Sequence, residues 1–148
     1  MYDVRLAHER ETRERLLRSA IQVLAHEGWA SATVAAVAQR AGVSRGAAQH
    51  HFPTREALIS STLEQIFDDL TLNADTLVQP YVNDPRRVRM AVERAVSIYT
   101  GTEFKASLQV WAAAASDPAL RELILPMEAR FARAAHRVTV AALDPDGS

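Results

Sequence analysis

The chain has 148 residues, 48% of them hydrophobic, no cysteine and a formal net charge of −1. That composition supports one compact domain, or two small subdomains sharing a core, and it excludes disulfides, thiol catalysis and cysteine-ligated zinc. No stretch approaches the roughly 18 uncharged apolar residues of a membrane span, and the opening residues hold no apolar signal-peptide core, so a soluble cytoplasmic protein with no membrane partner is expected.

In chain order every segment reads as helix. From Glu9 to Glu27, Leu17, Ala20, Ile21 and Leu24 recur at helical spacing, and Gly28 is placed to stop the helix in the left-handed conformation. Residues 33–41 form a short second helix with Thr33 as N-cap. Gly42 ends it, and Ser44 caps a third helix, SRGAAQHHF, that stops before Pro53. A long fourth helix starts at Pro53 or Thr54, carries Leu58, Ile59, Leu63, Ile66, Phe67, Leu70 and Leu77 as its stripe, and closes at Pro80.

A fifth helix opens at NDP, residues 83–85, and is expected to turn Val88, Val92, Val96 and Tyr99 inward. Gly101 breaks it, and a sixth carries Phe104, Leu108, Trp111 and Ala115. The last helix holds Leu120, Leu123, Ile124, Met127, Phe131 and Val138, with Pro126 expected to kink or divide it. The closing DPDGS reads as a frayed tail. The fold class is all-α.

Two short helices joined by a tight glycine turn, after a longer supporting helix, describe a helix-turn-helix. Val37, Ala38 and Ala41 face Val43, Ala48 and Phe52 around the turn, which leaves Arg45, Gly46, Gln49 and His50 toward solvent. Residues 1–55 hold eight arginines against five acids, and residues 56–148 nine basic residues against thirteen acids. No acid occurs in residues 28–55, a window with three arginines and two histidines. An acid there would face the negative charge of nucleic acid, so the window suits a phosphate-lined groove. Gly46 costs a helix about 1 kcal/mol relative to alanine; a position without a side chain would let the backbone approach a phosphate or base edge.

The segment TRERLLRSAIQVLAHEGWASATVAAVAQRAGVSRGAAQHHFPTREALI, residues 12–59, resembles the tetracycline-repressor (TetR) family of bacterial transcriptional regulators. The helix ending at Gly28 before an aromatic, Thr33 before an apolar helix, and the motifs AGVSRG, HHF and EAL carry the likeness. The resemblance implies a three-helix DNA-binding head, residues 1–53. It implies that a long fourth helix joins this head to a helical effector-binding and dimerisation bundle, the whole second unit being residues 54–148. Carried over, Thr33 and Ser44 bind phosphates, Arg45 and Gln49 read bases, Gly46 and Ala47 belong to the same contacting face, His50 lies at the groove edge, and His51 and Arg55 sit on phosphates. Relatives often have Thr, Leu and Tyr where this chain has Ala47, Ala48 and Gln49, which shifts weight onto Arg45 and Arg55.

The competing readings of these residues are plainer. His51 could be a core histidine, and adjacent histidines on a helix point about 100° apart, so no metal site is expected. Arg13, Arg15 and Arg18, interleaved with acids, read as a solvated face with intrahelical pairs. Tyr99, Phe104, Trp111, Met127 and Phe131 are core packing or, in part, the wall of an apolar effector cavity. Glu103 is the candidate acid should that effector be a cation. No catalytic set, phosphate-binding glycine loop or cofactor motif is present in the sequence, so neither an enzyme nor a cofactor is expected.

The expected function is a one-component repressor. A homodimer would set two recognition helices, residues 44–51, about 34–36 Å apart on a palindromic double-stranded DNA operator. An unknown small-molecule effector would shift the fourth helix and release it. Family members usually add two further helices, so the chain reads as shortened at its C-terminus, or dimerisation uses other faces such as the last helix. The alternative expectation is an effector-blind DNA-binding protein or a helical protein-interaction module.

Overall fold

The structure, a computed structural model, describes residues 2–78 and 84–144. The side chain of Leu77, the stop at Pro80, the opening Asn83 and the tail after Asp144 fall outside the described residues. Seven α-helices and one 3₁₀ turn make up the described chain: α1 (Tyr2–Glu27), the turn Trp29–Ser31, α2 (Val34–Ala41), α3 (Arg45–His51), α4 (Arg55–Val78), α5 (Arg87–Thr100), α6 (Thr102–Ala114) and α7 (Pro118–Leu143). Among the described residues there is no strand.

Local chemistry sets most of the boundaries. Gly28 has φ +89° and closes α1, its amide donating to the carbonyls of Val23 and Leu24. The Thr33 hydroxyl accepts the Ala36 amide at 3.2 Å and starts α2. Gly42, at φ +65°, ends α2 with its amide on Gln39 and the Val43 amide on Ala38, the paired closure of a Schellman motif. Ser44, Thr54 and Asp117 cap α3, α4 and α7 by accepting amides three residues on. Pro118 sits in the first turn of α7, where a missing N–H costs nothing.

One apolar core runs through the described chain. Leu16, Leu17, Ala20 and Leu24 of α1 meet Val37 and Ala38 of α2, Ala48 of α3, and Leu58, Ile59, Leu63 and Ile66 of α4. The same cluster continues into Ala106 and Val110 of α6 and Leu120, Ile124 and Met127 of α7. A buried leucine or isoleucine contributes roughly 1.5–3 kcal/mol by leaving water, so this cluster is what ties the head to the C-terminal helices.

Four expectations need correcting. The first helix begins at Tyr2 rather than Glu9. Its extra turns carry no buried stripe, Val4 and Leu6 being exposed, and are supported by an Arg5–Glu9 pair at 3.2 Å. Val88, Val92, Val96 and Tyr99 of α5 do not face inward; they are 50–60% exposed. The half-buried face of α5 is the neighbouring one, with Met90, Ala91, Ala95 and Ile98, and it includes Arg87 and Arg94. Leu108 of α6 is also exposed. Helix α7 passes through Pro126 undivided, anchored before it by buried Leu120 and Ile124 and after it by Met127 and Ala134.

Arg55, in the first turn of α4, reaches back to the turn before α2. Its guanidinium lies 4.0 Å over the Trp29 ring, Nε donates to the Ala32 carbonyl at 2.9 Å, and Nη2 donates to the Trp29 carbonyl. Arg55→Ala removes the cation–π contact and leaves two inner carbonyls without their charged donor. It should cost about 2–4 kcal/mol in urea unfolding followed by circular dichroism. A change under about 0.5 kcal/mol would show that the contact does not hold the head to α4.

Candidate functional site

Helix α3 lies across α2 with alanines at the crossing. Ala38 and Ala48 are 2% and 0% exposed, and Phe52 at the end of α3 is also buried. This register turns Arg45, Gly46, Gln49 and His50 outward, with Ala47 and His51 half-buried beside them. Ser44 and Thr33 stand exposed at the two helix starts. Each hydroxyl oxygen already accepts a cap amide, which leaves its O–H able to donate to an outside acceptor. The sequence-predicted positions from Ser44 to His50 therefore share one face, and Thr33 stands at the start of the helix beneath it.

Gly46 is not explained by the fold. A Cβ built on it meets nothing within 4 Å, and its φ is not positive. The glycine spends helix stability of about 1 kcal/mol for no packing need within the chain.

The three arginines of the acid-free window part ways. Arg40 pairs with Glu27 at 3.2 Å. Arg55, expected on a phosphate, is bound to Trp29 and two backbone carbonyls, so its guanidinium is already committed within the fold. Arg45 is exposed and has no ion-pair partner among the described residues. Arg13, read from sequence as solvated, lies 5.3 Å over the Phe52 ring, and the Arg15 Nη2 donates to the Ala41 carbonyl at 2.6 Å. Both contacts join positions far apart in sequence, and no helical pattern signals them.

The rings of His50 and His51 sit 5.4 Å apart and nearly edge-on, not converging on a common point. Burial, then His50 and Arg13, hold His51 below its ordinary 6.5, with Glu9 opposing. Among the described residues no group of three His, Asp or Glu side chains could hold a metal ion.

A second feature lies away from the head. A cavity of about 200 Å³ opens between α4, α5 and α7, with Leu70, Arg94, Ile98, Tyr99, Phe131 and Val138 in its walls. Of the five side chains expected there, Tyr99 and Phe131 line it. Met127 is buried in the core and touches instead a neighbouring groove with Glu64, Arg130 and Arg137. Phe104 and Trp111 stack edge-on with each other at 5.8 Å, and Phe104 with Tyr99 at 4.9 Å, so they build the α5–α6 seam rather than the cavity wall. Arg94 and Ile98 were missed because they belong to the unexpected face of α5.

Glu103, the candidate for a cationic effector, does not line the cavity. Burial and the adjacent Asp69 carboxylate push it up to about 7, with Arg94 opposing. Gln65 donates to Asp69 at 2.8 Å, so the pair is held at the seam of α4 and α6.

Comparison with known proteins bears on the family and the fold. The model described as bacterial regulatory proteins, tetR family, matches residues 16–62. The chain is 34% identical over 112 residues to the HTH-type transcriptional regulator CymR of Pseudomonas putida, an alignment covering 76% of this chain and 55% of that protein. It spans little more than half the length of the curated relatives it matches. Its fold is similar to that of a TetR-family member from Streptomyces coelicolor A3, at TM-score 0.68 and 24% identity over 91% of this chain and 77% of that one. It is also similar to the multidrug binding protein EbrR in complex with ethidium, at TM-score 0.65 and 27% identity over the same shares, 91% and 77%.

Two variants probe Gly46 and Glu103. Gly46→Ala should raise stability by about 0.5–1 kcal/mol in denaturant unfolding; a loss of stability would mean that the glycine serves the fold. Glu103 binds its proton more tightly folded, about 7 against an ordinary 4.5, so its penalty is absent below 4.5, grows as pH rises from 4.5 to 7 and is complete above 7. Glu103→Gln should therefore melt higher than the parent at pH 8 and together with it at pH 4, and identical melting at both would contradict the raised value.

Proposed function

The chain belongs to the TetR family of bacterial regulatory proteins, and from that footing we propose that it is a ligand-responsive, one-component transcriptional repressor whose α3 enters the major groove of duplex DNA. The observation that carries the reading is the outer face of α3. It presents one arginine without an ion-pair partner, a glutamine, a histidine and a glycine the fold does not need, in a stretch with no acid from residue 28 to residue 55.

In this reading residues 1–53 are the DNA-binding unit and residues 54–148 the effector-binding and dimerisation unit. Arg45 reads guanine through O6 and N7, and Gln49 reads adenine through N6 and N7. Gly46 and Ala47 allow close approach, the hydroxyls of Thr33 and Ser44 donate to phosphates, His50 lies at the groove edge and His51 beside a phosphate. Arg55 drops out of the interface and becomes the joint between head and α4. Two copies on a palindrome would place α3 in successive major grooves.

The cavity between α4, α5 and α7 is the effector site in this proposal. Its wall includes Leu70 and Thr71 of α4, and α4 is the helix that Arg55 ties to the turn before α2. A ligand that displaces α4 would move the head with it. It can shift the equilibrium only by its difference in affinity for the two arrangements. EbrR, solved with ethidium, supports a small organic ligand for a fold of this kind.

Selection of bound sequences from a random DNA pool, then binding of Arg45→Ala to single-base variants of the selected site, tests the reading. Arg45→Ala should relax preference at one position, at about 1–3 kcal/mol; parent-like discrimination at every position would refute the assignment. Binding should also tighten as pH falls through 6.5, because a phosphate beside His51 raises a value that the free protein holds low. The effect should vanish in His51→Gln, and DNA affinity flat from pH 7.5 to 5.5 would remove His51 from the phosphate contacts.

A further inference from the structure

Among the described residues the wall of the α4–α5–α7 cavity is apolar except for Thr71, Tyr99, Thr139 and one charged residue, Arg94. The Thr139 hydroxyl is already used on the Ala135 carbonyl at 2.8 Å. Arg94 Nε is buried and has no hydrogen-bond partner, and among the described residues Arg94 makes no salt bridge. An arginine keeps its charge at any working pH, and a buried cationic N–H without an acceptor costs more than a neutral one. The structure thus carries a cationic donor at the rim of an apolar cavity with nothing of its own to receive it.

Arg94 acts on one acid outside the cavity, Glu103. It stands outside the cavity, is half-buried beside Asp69, and keeps much of its proton near neutral pH, so it balances Arg94 only in part. Among the described residues no carboxylate lines the cavity. A cation placed there would meet Arg94 and, among the described residues, no counter-charge in the wall.

Resting on the proposed effector site, we infer that this cavity takes a small organic monoanion, an apolar body whose single carboxylate sits against the Arg94 guanidinium. The body lies against Leu70, Ile98 and Phe131, whose ring stacks on Phe67 at 4.8 Å. The carboxylate accepts from Arg94 in the charge-assisted geometry that guanidinium groups favour. The volume of about 200 Å³ is somewhat more than the roughly 150 Å³ that holds benzene, so a body of about eight carbons fits.

Calorimetric titration of the full chain at pH 7 with octanoate, octan-1-ol and octylammonium separates the possibilities with one apolar body throughout. Octanoate should bind about tenfold or more tighter than the other two, the worth of a charge-assisted hydrogen bond. Arg94→Gln should bring the octanoate-to-octanol ratio near one, while Arg94→Lys keeps part of it. Octanol binding as well as octanoate, or octylammonium binding better, would overturn the anion inference and leave a small-molecule cavity standing. A ratio unchanged in Arg94→Gln would overturn the role of Arg94. Binding of none of the three would defeat both the inference and the effector site beneath it. The three-ligand comparison uses the parent protein, so its answer does not depend on how a variant folds.

Discussion

The crossing of α2 and α3 on α1 depends on small side chains. Ala38 and Ala48 are 2% and 0% exposed, and Ala41 is buried with them. Larger groups at these points would push α3 outward and rotate its free face, because a packed interior transmits a volume change rather than absorbing it. With the alanines in place, the register of seven residues is set: Ala48 goes in, and Arg45, Gly46, Gln49 and His50 come out. The chemistry offered to the outside follows from that one packing constraint.

Charge on this face is set by what the fold uses and what it leaves. Arg40 is balanced by Glu27, Arg55 is spent on the carbonyls of Trp29 and Ala32, and Arg15 on that of Ala41. Arg45 stays exposed without such a partner among the described residues. Counting basic residues in the window would overstate the outward-facing charge, since two of its three guanidinium groups are paired within the fold. The same use of arginine makes α4 the natural connection between head and cavity: Arg55 grips the head at one end and Leu70 meets the cavity further along.

The legible parts were those fixed by neighbours in sequence. Thr33, Gly42 and Ser44 punctuate α2 and α3 as expected, since caps and left-handed stops involve residues three or four apart. The core of α1 and α4 followed from helical spacing. Helix α5 did not follow, because two stripes of the same period run along it. The more apolar one, through Val88, Val92 and Val96, is half or more exposed, and the one that packs contains Arg87 and Arg94. Hydrophobicity alone favours the wrong stripe there, and with it Arg94, which lines the cavity, is passed over. The task of Arg55 was equally hidden, since its partners lie 23 and 26 residues back along the chain.

Amide chemical shifts of isotope-labelled protein, followed while a selected duplex is added at low salt, report which residues meet DNA. If the outer face of α3 lies in the major groove, the largest changes should gather at residues 33–36 and 44–51 and fade as salt is raised. Changes gathered elsewhere, with those two segments silent, would contradict it.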